Sequence, residues 1–359
     1  MRIAVLGAGA VALGNAAFLS RNEHQPIVWS PSGKSVTEIA KGVPLTTTGA
    51  LEGTFELPVA ASCEESLRGA QVVLIAVPAY GYKTVMDAAS PYIRPDHLVI
   101  ISGHLSFGAL YLSKLLAERG VTAPIAAFGT TVTTGRRTGP TAVNVKTIRA
   151  KVDMATVPAT FGEKALGICT DLFGDRFVLR SDLLAIMLSN LNPQSHMGTA
   201  LCNLTRMERG EAWDQDENTT DAVGNLLEAL DAERIAVASA LGLSVRTVRE
   251  HFHYSFNVPI GPVGEMARVL HGRGRAVMGP TTLNTRYILE DVPFGLLPTI
   301  GIARVAGVPI PLHEAGINLF SALYGREFRT ENDILPELDL DGLDLPALQK
   351  IALEGYRRA

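Results

Sequence analysis

One short turn near the start of the chain constrains its first half. The apolar run Arg2–Leu6 leads into Gly7-Ala8-Gly9-Ala10-Val11-Ala12, and an apolar stretch continues to about Ser20. Read as strand, turn and helix, this is the G-x-G-x-x-A form of the dinucleotide fingerprint, found in the context the fingerprint needs. Gly7 permits a tight turn, and Gly9 lets a pyrophosphate approach the backbone. Ala12 is small enough for the helix to pack against the strand. Ala10, Val11 and Ala12 open the helix, whose N–H groups and positive dipole end face the phosphates. Arg2 followed by apolar residues also has the outline of a secretory leader. Gly7 and Gly9 interrupt that run too early for the leader reading to be preferred.

The rest of the first half extends the pattern. A second strand is expected at Gln25–Trp29. In NAD-selective folds an acidic residue closes this strand and holds the ribose 2′-hydroxyl. Here Ser30-Pro31-Ser32-Gly33-Lys34 follows, with no carboxylate. Ser30, Ser32 and Lys34 offer two hydroxyls and an ammonium to a 2′-phosphate, so NADP is the expected cofactor and NAD the other option. Further strands at Val72–Val77, Leu98–Ile101 and about Pro124–Phe128 alternate with helical stretches. That order predicts an α/β fold, a Rossmann doubly wound parallel sheet. Val77 and Pro78 close a strand on the cofactor side. Ala142–Val157 alternates in the manner of a hairpin, and Phe177–Arg180 reads as a last strand. The first domain is expected to span 1–181.

Composition excludes several classes. A chain of 359 residues with 47% hydrophobic and 19% charged residues is globular and long enough for two domains. A net charge of -4 without a dense basic run argues against nucleic acid. The apolar runs are too short to span a bilayer. Cys63, Cys169 and Cys202 are far apart, so neither a metal site nor a disulfide framework is expected. Free thiols fit the cytoplasm.

From Asp182 the strand patterns give way to helical periodicity, which predicts an all-α second domain over 182–359. Two polar stretches stand out in it, Ser189–His196 and Gly279–Asp291. Asn192 and His196 are four apart and share a helical face. Histidine is the commonest proton donor or acceptor beside a reacting carbon, and a carboxylate commonly orients it. Arginine matches a substrate carboxylate. His196, Asp291, Arg286 and Asn192 are therefore candidate catalytic residues. From the residues alone, a core histidine and a structural ion pair explain the same side chains.

Several segments resemble the opine dehydrogenases, the octopine/nopaline dehydrogenase family. They are GAGAVA, LIAVPAY, SNLNPQSH, DAERIAVASALGL and GPTTLNTRYILEDVPFGLLP. The resemblance implies NAD(P)H-dependent reductive condensation of an amino acid with a 2-oxo acid, or the reverse oxidation of an opine. It implies that His196 is the acid/base, Asp291 its carboxylate partner, Arg286 the clamp for a substrate carboxylate and Asn192 a substrate-orienting group. A cleft between the domains would close over small-molecule substrates, and a homodimer is an open option. Two departures stand out. Phe128 replaces a glutamate that the family often carries near the cofactor–substrate cleft, which leaves the amino donor open. His104 follows Gly103 where a small pair is usual, and it either stands near the cofactor or caps a helix. A ketopantoate reductase-type enzyme would share this layout. It would need a lysine in the helical domain, and 183–204 contains none. A protein that senses NADP without turnover is the non-enzymatic alternative.

Overall fold

The computed structural model describes residues 1–275 and 277–357. The chain divides into two compact units. One comprises Met1–Met187 and the residues from Gln349 onward, and the other Leu188–Leu348. The sequence division at 181/182 falls just before this one. The C-terminal residues, expected in the second domain, group with the first: the Tyr356 N–H donates to the Ser113 hydroxyl at 2.9 Å.

Among its described residues the first unit holds eleven strands in two sheets. They are β1 Arg2–Leu6, β2 Gln25–Trp29, β3 Leu45–Gly49, β4 Gly53–Phe55, β5 Val72–Ile75 and β6 Leu98–Ile101. There follow β7 Ile125–Phe128, β8 Thr133–Gly139, β9 Ala142–Ile148, β10 Val152–Val157 and β11 Phe177–Leu179. The larger sheet runs β11-β10-β7-β6-β5-β1-β2. Its strands from β7 to β2 are parallel, and β10 and β11 run the opposite way. The sheet is thus parallel-rich rather than wholly parallel. Strands such as Val72–Ile75 and Leu98–Ile101 are buried at every position, as strands covered on both faces must be. β1 lies between β2 and β5, so strand order reverses there. The crevice beyond the strand ends at such a point is where α/β sheets bind ligands.

The smaller sheet, β4-β3-β9-β8, departs from the expectation. The hairpin pairs Thr133–Gly139 with Ala142–Ile148. Val152–Val157, expected as one arm of it, joins the main sheet against β7. β3 and β4, rich in threonine and glycine, carry little hydrophobic alternation and were not foreseen. The hairpin packs on the first helix, Ala10–Arg21, through a buried polar contact: the Thr133 hydroxyl donates to Asn15 Oδ1 at 2.9 Å.

Among its described residues the second unit is helical, apart from a single bridge between Asp214 and Met278. Its longest helix, Asp221–Ala240, is capped by the Thr220 side chain. This helix carries a buried ion pair. Arg234, 1% exposed, meets Asp231 at 2.6 Å, and the other Asp231 oxygen accepts the Val248 N–H at 2.7 Å. Removing either partner would leave a buried charge unmatched, which costs about 3–5 kcal/mol.

Candidate active site

The nucleotide-binding turn lies in the first unit. Gly7 follows β1 with φ +134°, and its N–H donates to the carbonyl of Trp29 at 2.8 Å. A Cβ there would stand 2.3 Å from the Ala76 carbonyl oxygen and 3.0 Å from Val77. The position therefore tolerates glycine alone. β5 ends at Ile75, two residues short of the expected Val77; Val77 still lies against the turn, and Pro78 beside it is exposed. Gly9 differs in kind: a Cβ there would meet nothing within 4 Å. Its missing side chain leaves open space above the helix start. Gly9 is itself the helix N-cap, without a side-chain cap, and the first turn is free of acidic residues. The N–H groups at Ala10, Val11 and Ala12 are thus left for an anion. Ser30 follows β2, Ser32 is exposed, and Lys34, also exposed, opens a short 3₁₀ turn, Lys34–Val36. An uncapped helix start, an open glycine cradle and a β2 end without carboxylates together fit a dinucleotide phosphate.

Both departures from the family pattern have structural explanations. Phe128 is fully buried and packs on Phe177 with centroids 4.7 Å apart, and edge-on to Phe173. It fills core rather than facing a ligand, which corrects the expectation of a position near the cleft that bears on the amino donor. His104 Nε2 accepts the Ala109 N–H at 3.1 Å, at the start of the helix Gly108–Glu118. This is the capping alternative. Burial pushes its imidazole down to about 3, so it is neutral at physiological pH.

The proton-transfer group lies in the second unit. His196 sits in the second turn of the helix Asn192–Cys202, which starts with Pro193 in its first turn, where the missing N–H costs nothing. Asn192 begins that helix one turn before His196, exposed, with its N–H on the Asn190 side chain at 3.0 Å. Asp291 comes 95 positions later, at the end of a short helical turn, Arg286–Leu289, that Thr285 caps. A π-helical segment, Val292–Leu296, follows directly. Pro293 within it lacks an N–H to continue an α-helical ladder. The fold brings the distant pair together: His196 Nδ1 and Asp291 Oδ2 are 2.7 Å apart. The Asp291 side chain is 1% exposed and the His196 side chain 17%. Asp291 Oδ1 is buried with no hydrogen-bond partner among the described residues.

Two further side chains complete this arrangement. The Tyr287 ring stacks on the His196 imidazole, centroids 3.6 Å apart and planes within 8°. The Tyr287 hydroxyl accepts a hydrogen bond from Gln215 Nε2 at 2.9 Å, and Gln215 is also tied to the Met278 carbonyl. The imidazole is thus held at its Nδ1 edge and on one face. Tyr287 lies inside one of the two polar stretches, so the sequence carried a signal for it. Gln215 lies outside both. Arg286 is half-exposed and pairs with Glu290 one helical turn later, Nε to Oε2, at 3.2 Å. Its placement thus depends on a nearly buried carboxylate that sequence reading had not singled out.

With Nδ1–H donated to a carboxylate, Nε2 is the nitrogen left to exchange a proton. The His196–Asp291 pair of the helical unit has the geometry for acid/base work.

Comparisons with known proteins converge on one family. Residues 179–324 match the family model described as NAD/NADP octopine/nopaline dehydrogenase, alpha-helical domain. Residues 3–157 match that of ketopantoate reductase. An opine dehydrogenase of Arthrobacter sp. (strain 1C) is 32% identical, over 95% of each chain. The chain belongs to the opine dehydrogenase family. A vitopine synthase of Allorhizobium ampelinum is 26% identical, over 92% of this chain and 95% of its own. The fold matches that of an octopine dehydrogenase solved with NADH and L-arginine, at TM-score 0.80 and 18% identity over 99% of each chain. A yersinopine dehydrogenase with NADP+ bound matches at TM-score 0.70 and 16% identity, over 98% of each chain. This opine dehydrogenase-family chain is accordingly an NAD(P)-dependent oxidoreductase acting on CH–NH bonds. The ketopantoate reductase family model matches residues 3–157 alone, and neither the single-substrate reading nor the NADP-sensing reading is favoured. No helix among the described residues is long and apolar enough to cross a membrane.

Proposed function

We propose that the chain joins an amino acid to a 2-oxo acid and reduces the resulting imine with NADPH, with His196 as the acid/base. The observation that carries this reading is the 2.7 Å pair of His196 with the buried Asp291. Asp291 fixes the imidazole with Nδ1–H toward the carboxylate and stabilises the imidazolium. The neutral amine of the amino acid attacks the keto carbon; one amine proton and the Nε2 proton of the His196 imidazolium go to the keto oxygen, which leaves as water, and a protonated imine remains. A nicotinamide dinucleotide held by the Gly7–Ala12 turn would supply the hydride that reduces the protonated imine. Arg286 binds a substrate carboxylate through its guanidinium, held in place by Glu290, and Asn192 orients the substrate on the same helical face as His196. Gly7 to Ala12 bind the pyrophosphate, Ser30, Ser32 and Lys34 the adenosine ribose and its 2′-phosphate, and Val77 and Pro78 line the nicotinamide side. Pyruvate and arginine, seen with the octopine dehydrogenase structures, are the first pair to try. The three unpaired cysteines support a cytoplasmic setting, and a homodimer is the assembly to look for.

The deciding experiment follows NADPH oxidation with pyruvate alone, with each amino acid alone and with the pairs. The proposal expects turnover only with pairs, and an N-(carboxyalkyl) amino acid as product by mass spectrometry. Equal turnover with the oxo acid alone refutes it.

A further inference from the structure

A second cation stands beside the fingerprint turn, on a remote part of the chain. Arg137 belongs to β8 of the small sheet, 129 positions from Ala8. Its Nη1 donates to the Ala8 carbonyl at 2.9 Å and to the Ser35 carbonyl at 2.8 Å. Its Nη2 donates to the carbonyls of Gly139 and Pro140. Ala8 lies between the two fingerprint glycines, and Ser35 follows Lys34 in the turn after β2. The guanidinium is therefore pinned between the two segments that flank the adenosine ribose in a dinucleotide fold. All these acceptors are neutral carbonyls, so they hold the charge in place without cancelling it.

A pocket of about 420 Å³ opens there, lined by Lys34, Ser35, Thr37, Glu38, Arg137 and Pro140. We propose that this pocket takes the 2′-phosphate of an adenine dinucleotide, with Arg137 and Lys34 as its two cations. Its one carboxylate, Glu38, is paired with Lys41 at 2.8 Å, so the positive balance survives. A free 2′-hydroxyl would leave both cations without an anion, whereas a phosphate dianion matches them. Both terminal nitrogens of Arg137 are engaged by carbonyls. It therefore acts as a rigidly placed charge and a tie between turn and hairpin, while Lys34 supplies donors that are free to swing. The small sheet thereby gains a function: it carries a cofactor-discriminating charge to the end of β2.

This inference rests on reading the Gly7–Ala12 turn as a dinucleotide site, and its test does not involve amine or oxo acid. Calorimetric titration with adenosine 2′,5′-bisphosphate and with 5′-AMP compares the ligands with and without the 2′-phosphate. The wild-type chain is expected to bind the bisphosphate roughly tenfold to a hundredfold more tightly, the usual worth of a charge-assisted contact. The preference should shrink as salt rises. Arg137→Met and Lys34→Gln should each bring the ratio toward one, and Arg137→Lys should keep more of it than Arg137→Met. Lys34 is exposed, so its variant remains informative should Arg137→Met loosen the hairpin. A wild-type ratio near one, or a ratio unmoved in Lys34→Gln and in folded Arg137→Met, overturns the proposal. Failure of both nucleotides to bind also overturns it, by removing the site beneath it. Neither result bears on whether the enzyme needs paired substrates, so the two readings fail separately.

Discussion

Replacing Asp291 by Asn keeps the shape of the side chain and removes its charge, and the structure sets the size of the effect. Asp291 Oδ2 lies 2.7 Å from His196 Nδ1 in a site where the aspartate is 1% exposed. The centres of carboxylate and imidazolium charge are then about 4 Å apart. At an effective dielectric of about 20 their attraction is about 4 kcal/mol, or roughly three decades in rate if the imidazolium forms in the reaction. The amide can also turn its NH₂ toward Nδ1, which would put the ring proton on Nε2 and leave no acceptor there. The turnover of Asp291→Asn is therefore expected to fall about a thousandfold, with nucleotide affinity unchanged. Stability should move the other way or not at all. Asp291 Oδ1 has no hydrogen-bond partner among the described residues, and a buried, half-satisfied carboxylate is costly. Removing its charge relieves that cost and offsets the weakened bond to His196. Steady-state NADPH oxidation with saturating substrates, beside thermal unfolding, reads both sides. Turnover within tenfold of wild type in a folded, nucleotide-binding variant would refute the role given to the pair. A large loss of melting temperature would show that the pair serves the fold instead.

The other predictions address separate features. Gly7→Ala places a methyl 2.3 Å from the Ala76 carbonyl in a conformation that disfavours side chains. It should lower the melting temperature and abolish nucleotide binding. Gly9→Ala meets nothing in the protein and should leave the melting temperature unchanged while weakening binding by at least tenfold, both read by fluorescence titration and thermal melts. Tyr287→Leu removes the stacked face from His196 and should cut turnover about fivefold, the worth of an aromatic pair of about 1 kcal/mol, whereas Tyr287→Phe keeps most of it. Equal losses in the two variants would shift the role from the ring to the hydroxyl held by Gln215. Arg286→Ala should chiefly raise KM for the oxo acid, and an unchanged KM in steady-state assays removes the clamp. His104 is held near 3 by burial, against about 6.5 when unfolded. The unfolded chain therefore binds the extra proton between those values, and stability falls as pH drops through that window. Over pH 6.5 to 5 this amounts to about 2 kcal/mol. Urea unfolding should show a loss in wild type that exceeds the loss in His104→Gln by about that amount, since His97, also lowered by burial, contributes to both.

Much of the fold was legible because the parallel sheet writes itself locally. Val72–Ile75 and Leu98–Ile101 are runs of apolar residues, and each sits buried on both faces. The small sheet was hidden for the opposite reason. Thr46, Thr48 and Gly49 lie exposed on β3, so its residues record solvent on one side and little core on the other. β10 was misassigned because alternation along Ala142–Val157 describes a strand but not its partner. Residues 149–151 break the run, and after them the chain leaves the hairpin for the main sheet.

Legibility at the site follows the same division between local and distant causes. The Gly7 turn could be read from its own residues, since φ +134° and the neighbouring Ala76 carbonyl forbid any side chain there. His196 and Asp291 could be nominated by residue type, yet nothing in their spacing of 95 positions brings them together. Only the packing of the two helical segments does that, and the same packing stacks Tyr287 on the ring. Arg137 carried no signal at all. Its guanidinium matters through backbone carbonyls, which every residue possesses, so no choice of residue at Ala8 or Ser35 could announce it. A side chain that recognises side chains leaves a pattern at both ends, whereas one that recognises backbone leaves it at one end only. The second kind is where a sequence reading of a cofactor site falls short. It is also where the discrimination between NAD and NADP is proposed to reside in this enzyme.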